Sequence, residues 1–401
     1  MSALAAANAR LLGLCDEAAR RSDPLAALRR AGREAFAASG LPDTHREEWK
    51  YTSLAPLVAL DWALAPASFS PSAPPPGIEM FTLRESPAGT PRIGDLVDLK
   101  EHPLAALATA LLDDGLVIRS IPNADVARPI ELSLSTREIH RPELRVPRVR
   151  IEAARGSRLA VVLDHACAAI GGPRFTNAVI EIDIAENAQL ELTVLQRETG
   201  TAFHASNTAV RLARDARFTS RVITLGGRLV RNDLSVLLAG EGSECSLDGL
   251  YLGTGARVVD NHSLVDHAVP RGTSRQLYKG VLAGTSQGVF RGRVIVRPGA
   301  QKTDAAQSNT NLLLSNGAEI DTKPQLEIWA DDVKCSHGSA IGRLDENALF
   351  YLRSRALDER EARALLTQGF AAQIFAALPS EALREELGAE FARRVAAETL
   401  P

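Results

Sequence analysis

From about Leu116 onward, short β-branched runs alternate with polar residues. Val149-Arg-Ile-Glu152, Val179-Ile-Glu-Ile-Asp-Ile184, Leu190-Glu-Leu-Thr-Val194 and Val294-Ile-Val296 read as strands, because alternate side chains of an extended chain share one face. Small-residue turns recur between such runs, at Ala154-Arg-Gly-Ser157, Ala185-Glu-Asn-Ala188, Ala213-Arg-Asp-Ala216 and Ala239-Gly-Glu-Gly-Ser243. Their first residues lie 26 to 31 positions apart, which is repeat-like. A sandwich and a solenoid of stacked coils both use short strands at regular intervals. The pattern persists for roughly two hundred residues, about twice the usual sandwich. No helical pattern interrupts it, and its turns resemble one another more than Greek-key loops do. The spacing therefore predicts a mainly β fold, with a right-handed parallel β-helix-like solenoid core flanked by N-terminal and C-terminal α-helical regions.

The flanks change period. Leu4 to Ser39 is rich in Ala, Leu, Arg and Glu and reads as helical, with Gly40-Leu41-Pro42 as the stop. Pro66 to Gly77, crowded with Pro, Ser and Ala, reads as an exposed linker. A short helix is expected from His102 to Asp114, ended by Gly115. At the other end Asp358-Glu-Arg-Glu361 matches a capping box. Leu365, Leu366, Phe370, Ile374, Phe375 and Leu378 form an apolar stripe, Pro379 breaks it, and Leu383, Leu387, Phe391 and Val395 resume it. Such a helical hairpin either covers the open end of the solenoid or binds a partner. The expected units are residues 1–115, helical with a Pro-rich linker; 116–348, the β-helix core; and 349–401, a C-terminal helical domain.

Composition narrows the function. The chain is 45% hydrophobic and 24% charged with a net charge of −3, an ordinary globular balance with no electrostatic footprint for nucleic acid or an anionic membrane. Cys15, Cys167, Cys245 and Cys335 are scattered without a CxxC pair, which suits a reducing compartment. The first thirteen residues lack the features of a signal peptide, and no run of eighteen apolar residues occurs. A cytoplasmic protein is expected. No GxxxxGK[ST], strand-to-helix GxGxxG or HExxH is present, so chemistry that needs ATP falls to another subunit.

The richest segment is Ala330-Asp-Asp-Val-Lys-Cys-Ser-His-Gly338. In a strand, Cys335 and His337 project from one face, about 7 Å apart at the backbone. Thiol and imidazole suit iron, zinc or copper, but four ligands are needed and two are offered. The competing reading is a small buried hydrophobe beside a satisfied strand histidine. Asp331 and Asp332 fit either a role orienting that imidazole or a solvated strand end. Asp260-Asn-His262-Ser-Leu-Val-Asp266-His267 offers metal ligands only if the chain turns between its histidines; otherwise it builds polar ladders. His165 and Cys167 repeat the two-residue spacing in reverse order, which warns against over-reading it. Gly284-Thr-Ser-Gln-Gly288 matches GxSxG by letters but lies between strands and reads as a turn. Gln301 to Asn311 is a polar run suited to amide stacking along the solenoid.

The run from Leu312 to Gly338, including Glu319-Ile-Asp-Thr-Lys-Pro-Gln-Leu-Glu-Ile328 and the Cys335-Ser-His337 element, resembles the signature of the SufB/SufD family, most closely its SufD-like members. Leu349-Phe350-Tyr351-Leu352-Arg353-Ser-Arg355 and Arg46-Glu-Glu-Trp-Lys-Tyr-Thr52 are similar to two further family motifs. The resemblance covers essentially the whole chain. It implies a non-catalytic scaffold for nascent iron–sulfur clusters that pairs with a SufB-like scaffold and docks a SufC-like ATPase. It places Cys335 and His337 at the subunit contact, as transient ligands of a cluster shared with the partner. It also places the ATPase docking site on the C-terminal helices, beginning at Leu349. A homodimer in isolation is a further expectation, because an edge that pairs with a relative pairs with a copy. Two readings compete: a purely structural support subunit that ligates nothing, and a β-helix carbohydrate-active enzyme. The last is disfavoured by the missing export signal and by few aromatic residues for sugar stacking.

Overall fold

A computed structural model describes residues 2–67, 69–85, 93–134, 140–166 and 172–398. Fourteen strands from Arg148 to Gly342 wind seven coils, and each coil gives one strand to each of two sheets. Every pairing between successive coils is parallel. The result is the expected β-solenoid.

The recurrent turns are its corners. Each closes an i to i+3 hydrogen bond, as from the Ser157 amide to the Ala154 carbonyl (3.0 Å) and from Ala188 to Ala185 (3.1 Å). One corner residue must adopt a left-handed conformation, and Gly156, Asn187, Asp215 and Gly242 do so, with φ of 69°, 58°, 54° and 72°. Glycine, asparagine and aspartate tolerate that conformation best, which explains the composition of these turns. Corners also bond to one another: the Gly156 amide donates to the Glu186 carbonyl and Asn187 to Arg214, each at 3.0 Å.

Strict register stacks like on like inside the solenoid. Ile182, Val210, Val236, Val265 and Val294 occupy one column across five coils, all buried. Beside it Ser206, Asn232 and Asn261 form a polar column, in which Ser206 donates to Asn232 at 2.9 Å and Asn232 to Asn261 at 3.0 Å. The polar run from Gln301 behaves in the same way. Gln307 donates to Gln276, and Asn311 donates to Asn309 at 2.7 Å. These hydrogen bonds offset part of the cost of burying amides in the core, although Asn261 Nδ2 and Gln307 Oε1 stay unpartnered.

Helices cover the outer face of each sheet. The helices Ala3–Ala19, Ala26–Ser39 and Pro103–Ala110 share a buried cluster with Phe175, Phe203 and Leu229 of the eleven-stranded sheet. Gly32 is required here, because a Cβ would lie 2.5 Å from the Ala110 amide. On the nine-stranded sheet Leu195, Ile223, Leu250 and Val281 pack against Ile374, Phe375, Leu387 and Phe391 of the helices Glu359–Ala376 and Glu381–Glu398.

Three expectations are corrected. The single helical stretch from Leu4 to Ser39 is two helices, interrupted around Pro24, whose missing amide breaks helical bonding. The Pro66–Gly77 stretch is not wholly a linker, because Phe69–Pro71 pairs antiparallel with Ile130–Leu134. The C-terminal hairpin lies along the flank of the solenoid and does not close its open end. The helix expected from His102 to Asp114 forms over Pro103–Ala110.

Candidate functional site

The strand Lys334–Gly342 is the last in the nine-stranded sheet, and Glu319–Ile328 is the last in the other. Both therefore carry a row of backbone donors and acceptors with no strand beyond them. Cys335 pairs in register with Ala305 and His337 with Gln307, and those two neighbours face the interior, 1% and 3% exposed. Thiol and imidazole thus take inward positions, as period-two alternation requires. No further coil covers them. Cys335 is half-buried and His337 exposed. The same last coil carries the exposed apolar side chains of Ile328, Trp329 and Ile341, at 39%, 57% and 51%.

Burial, with a smaller push from the Asp304 carboxylate, raises the Cys335 thiol above its ordinary value, against a backbone hydrogen bond at Ala305 that lowers it. In the isolated chain this cysteine is a protonated thiol, and a metal must displace the proton to gain a thiolate ligand. Asp331 and Asp332 are engaged elsewhere. Asp331 accepts from Gln301 Nε2 at 2.8 Å, and Asp332 pairs with Lys302. Among the described residues no three His, Cys, Asp or Glu side chains gather as a metal site.

The other candidates resolve into structure. His262 faces outward, whereas His267 is buried inside the solenoid with Nε2 2.9 Å from Ser274 Oγ, so the two histidines do not converge. Asp260 anchors the N-terminal segment. It accepts from Thr52 Oγ1 at 2.6 Å and from Arg231 at 2.8 Å, with His262 Nε2 3.0 Å away. The Arg231 guanidinium lies 3.9 Å from the Trp49 ring centre, while Glu48 pairs with Arg291 at 3.3 Å and Glu47 with Lys323 at 2.5 Å. Residues 47–52 thus form a clamp that reaches the last coil. Sequence reasoning singled out these residues without this contact. The one available cue was the charge pattern Arg231-Asn-Asp233 facing Asp260 in the repeat register. Ser286 of the GxSxG match is buried in a turn between strands. His165 is buried, and Cys167 lies outside the described residues.

The motif from Leu349 to Arg355 forms the helix Glu346–Ser354 and the residue after it, capped by Asp345. Leu349 is buried, while Phe350 and Tyr351 are 76% and 57% exposed. The Arg355 guanidinium sits 5.3 Å from the Tyr351 ring centre, and Arg353 lies 3.7 Å from Glu359. Leu352 is half-buried beneath them.

The family profile described as "SUF system FeS cluster assembly, SufBD core domain" matches residues 136–370, which include the solenoid strands and the Cys335/His337 end. The chain belongs to the SufBD family. SufBD relatives include the iron–sulfur cluster assembly protein SufD of Escherichia coli, 35% identical over 271 residues, 67% of this chain and 64% of that protein. An iron–sulfur cluster assembly SufBD family protein of Synechocystis is 31% identical over 86% of both chains. SufD of Bacillus subtilis is 25% identical over 75% of this chain and 69% of its own length. This is accordingly a SufD-like SufBD protein of the SUF system of iron–sulfur cluster assembly. Among the described residues no helix is long and apolar enough to cross a membrane.

Proposed function

We propose that this SufBD protein is a non-catalytic scaffold subunit whose open solenoid end pairs with a SufB-like partner, and that the two surfaces together hold a nascent iron–sulfur cluster. The observation that carries this reading is the position of Cys335 and His337. They occupy inward-facing register on a terminal strand that no further coil covers, beside two unpaired sheet edges. A cluster takes about four ligands, usually thiolates, with histidine able to replace some. Two ligands here leave the rest to the partner, and a cluster held across a seam can leave when the seam opens. The cluster is cargo in this scheme and does not reside in the isolated chain.

The helix Glu346–Ser354, with Phe350 and Tyr351 exposed and Arg353 and Arg355 beside them, is the docking surface for a SufC-like ATPase. That partner supplies the ATP chemistry for which this sequence has no phosphate-binding loop. Free cysteines at positions 15, 245 and 335 suit a reducing cytoplasm.

Anaerobic reconstitution of the complex tests the reading. His337→Ala and Cys335→Ser should each leave complex formation intact and lower the yield of the visible cluster chromophore, roughly tenfold when both are combined. The competing reading is a support subunit that ligates nothing. A double variant that assembles clusters at the normal rate within an intact complex would establish that alternative.

A further inference from the structure

The amide of Gln307 lies one rung beneath the candidate cluster surface and is only half used. Strict register sets Gln276, Gln307 and His337 in one inward column, on neighbouring strands of the nine-stranded sheet. Gln276 and Gln307 are 4% and 3% exposed. Their amides form a ladder of one polarity. Gln276 Nε2 donates to Ser263 Oγ at 3.1 Å across the interior, and Gln307 Nε2 donates to Gln276 Oε1. Each step hands its N–H to an earlier coil. Gln307 Oε1 is left over, buried and without a hydrogen-bond partner.

A buried acceptor with no donor is costly, so a fold that keeps one calls for a reason. Loose packing is not that reason. Gly292 stands on the facing sheet, and a Cβ there would lie 1.7 Å from Gln307 Nε2 and 2.9 Å from Phe290 Cζ. The amide thus fills the space that a side chain at position 292 would take, and is held in its pose. With Nε2 committed to Gln276, the ladder continues only toward the open end, where His337 is the next rung about 4.8 Å along the sheet. In the isolated chain His337 is exposed and water satisfies its ring. Closing the seam removes that water. The nearby carboxylates are taken, Asp331 by Gln301 and Asp332 by Lys302. A neutral imidazole that gives one lone pair to a metal keeps an N–H on its other nitrogen, and proteins orient such ligands with an acceptor behind that N–H. The two ring nitrogens point away from each other, so an N–H directed back along the column turns the lone pair out of the open end.

We propose that Gln307 is a positioning residue for His337. Its spare Oε1 accepts the imidazole N–H when the seam closes, and so aims the other nitrogen at the cluster shared with the SufB-like partner. Gln307 itself touches no iron. The inference rests on the ligation reading above and adds to it the group that sets the orientation of the histidine.

The test uses the anaerobically reconstituted complex with ¹⁵N-histidine in this chain only, studied by pulsed electron paramagnetic resonance of the reduced cluster. The unaltered complex should show a ¹⁵N coupling that His337→Ala removes. Gln307→Met, similar in volume but without the acceptor, should shift that coupling and raise the iron needed for half-maximal cluster formation roughly 10- to 100-fold. Gln307→Glu, which keeps an acceptor, should recover most of that loss. Complex formation and circular dichroism should be unchanged in both, which separates positioning from folding. High-resolution density of the unaltered complex decides the matter even where a variant misfolds: one ring nitrogen of His337 should lie within about 3.2 Å of Gln307 Oε1. No histidine coupling in the unaltered complex would overturn the ligation reading and this inference together. A coupling and an iron requirement that Gln307→Met leaves untouched, or density with the two groups out of hydrogen-bond reach, would overturn the positioning role alone.

Discussion

A thiol that keeps its proton waits for metal before it binds anything. Cys335 is in that condition, because partial burial and the Asp304 carboxylate raise its proton affinity by more than a backbone hydrogen bond at Ala305 lowers it. If Cys335 ligates the cluster as proposed, ligation would release one proton, and cluster uptake should strengthen with rising pH up to the raised value, approaching about tenfold per unit for a single proton. The measurement is the apparent iron and sulfide requirement of reconstitution at several pH values. Cys335→Ser should flatten that slope. At this scale much was legible in the sequence. The two-residue spacing of Cys335 and His337 fixed their common face, because period-two geometry is local. Their exposure was not legible, since an inward position on any earlier strand, such as Gln307, is buried. Only the absence of a following coil separates the two cases.

Among elements, the corners were the most readable part of the chain, because Ala154-Arg-Gly-Ser157 and its relatives encode their own left-handed residue. The helices were readable as helices but not in their placement. The stripe from Leu365 to Leu378 declares an apolar face without declaring what covers it, and it covers the flank of the nine-stranded sheet. The least legible element was the clamp of residues 47–52, because Thr52 and Asp260 meet across 208 residues of sequence. Its central side chain, Trp49, is 5% exposed and stacks on Arg231. Trp49→Ala should cost about 3 kcal/mol, a typical value for emptying a buried aromatic site. The loss should be local. Limited proteolysis should cut the N-terminal segment faster, while the far-ultraviolet spectrum of the solenoid is preserved. Equal sensitivity of the whole chain would show that the clamp supports the coils themselves.

For the whole molecule, a solenoid gains stability from each coil stacked on its neighbours. The coil of Glu319–Ile328 and Lys334–Gly342 has one neighbour where inner coils have two, and its inward side chains include the exposed Ile341. Ile341→Lys should leave the isolated chain folded, since the side chain is already half in water. It should weaken pairing with a SufB-like partner by tenfold or more, because a charge would then be buried at the seam. Sedimentation or calorimetry of the mixed subunits measures this. Undiminished affinity would place the contact elsewhere on the surface.

The two ends of the solenoid are unlike. At the first, Ile78–Thr82 and the three residues of Phe69–Pro71 run antiparallel to the strands they cover, and Pro71 lacks an amide to offer a newcomer. At the last, strands nine and ten residues long end bare. The first end is thus the poorer template for another chain, and the last end the better one. Two such molecules joined at their last coils would pair the long edge strands of both, and the short antiparallel strands at the far ends would discourage further growth.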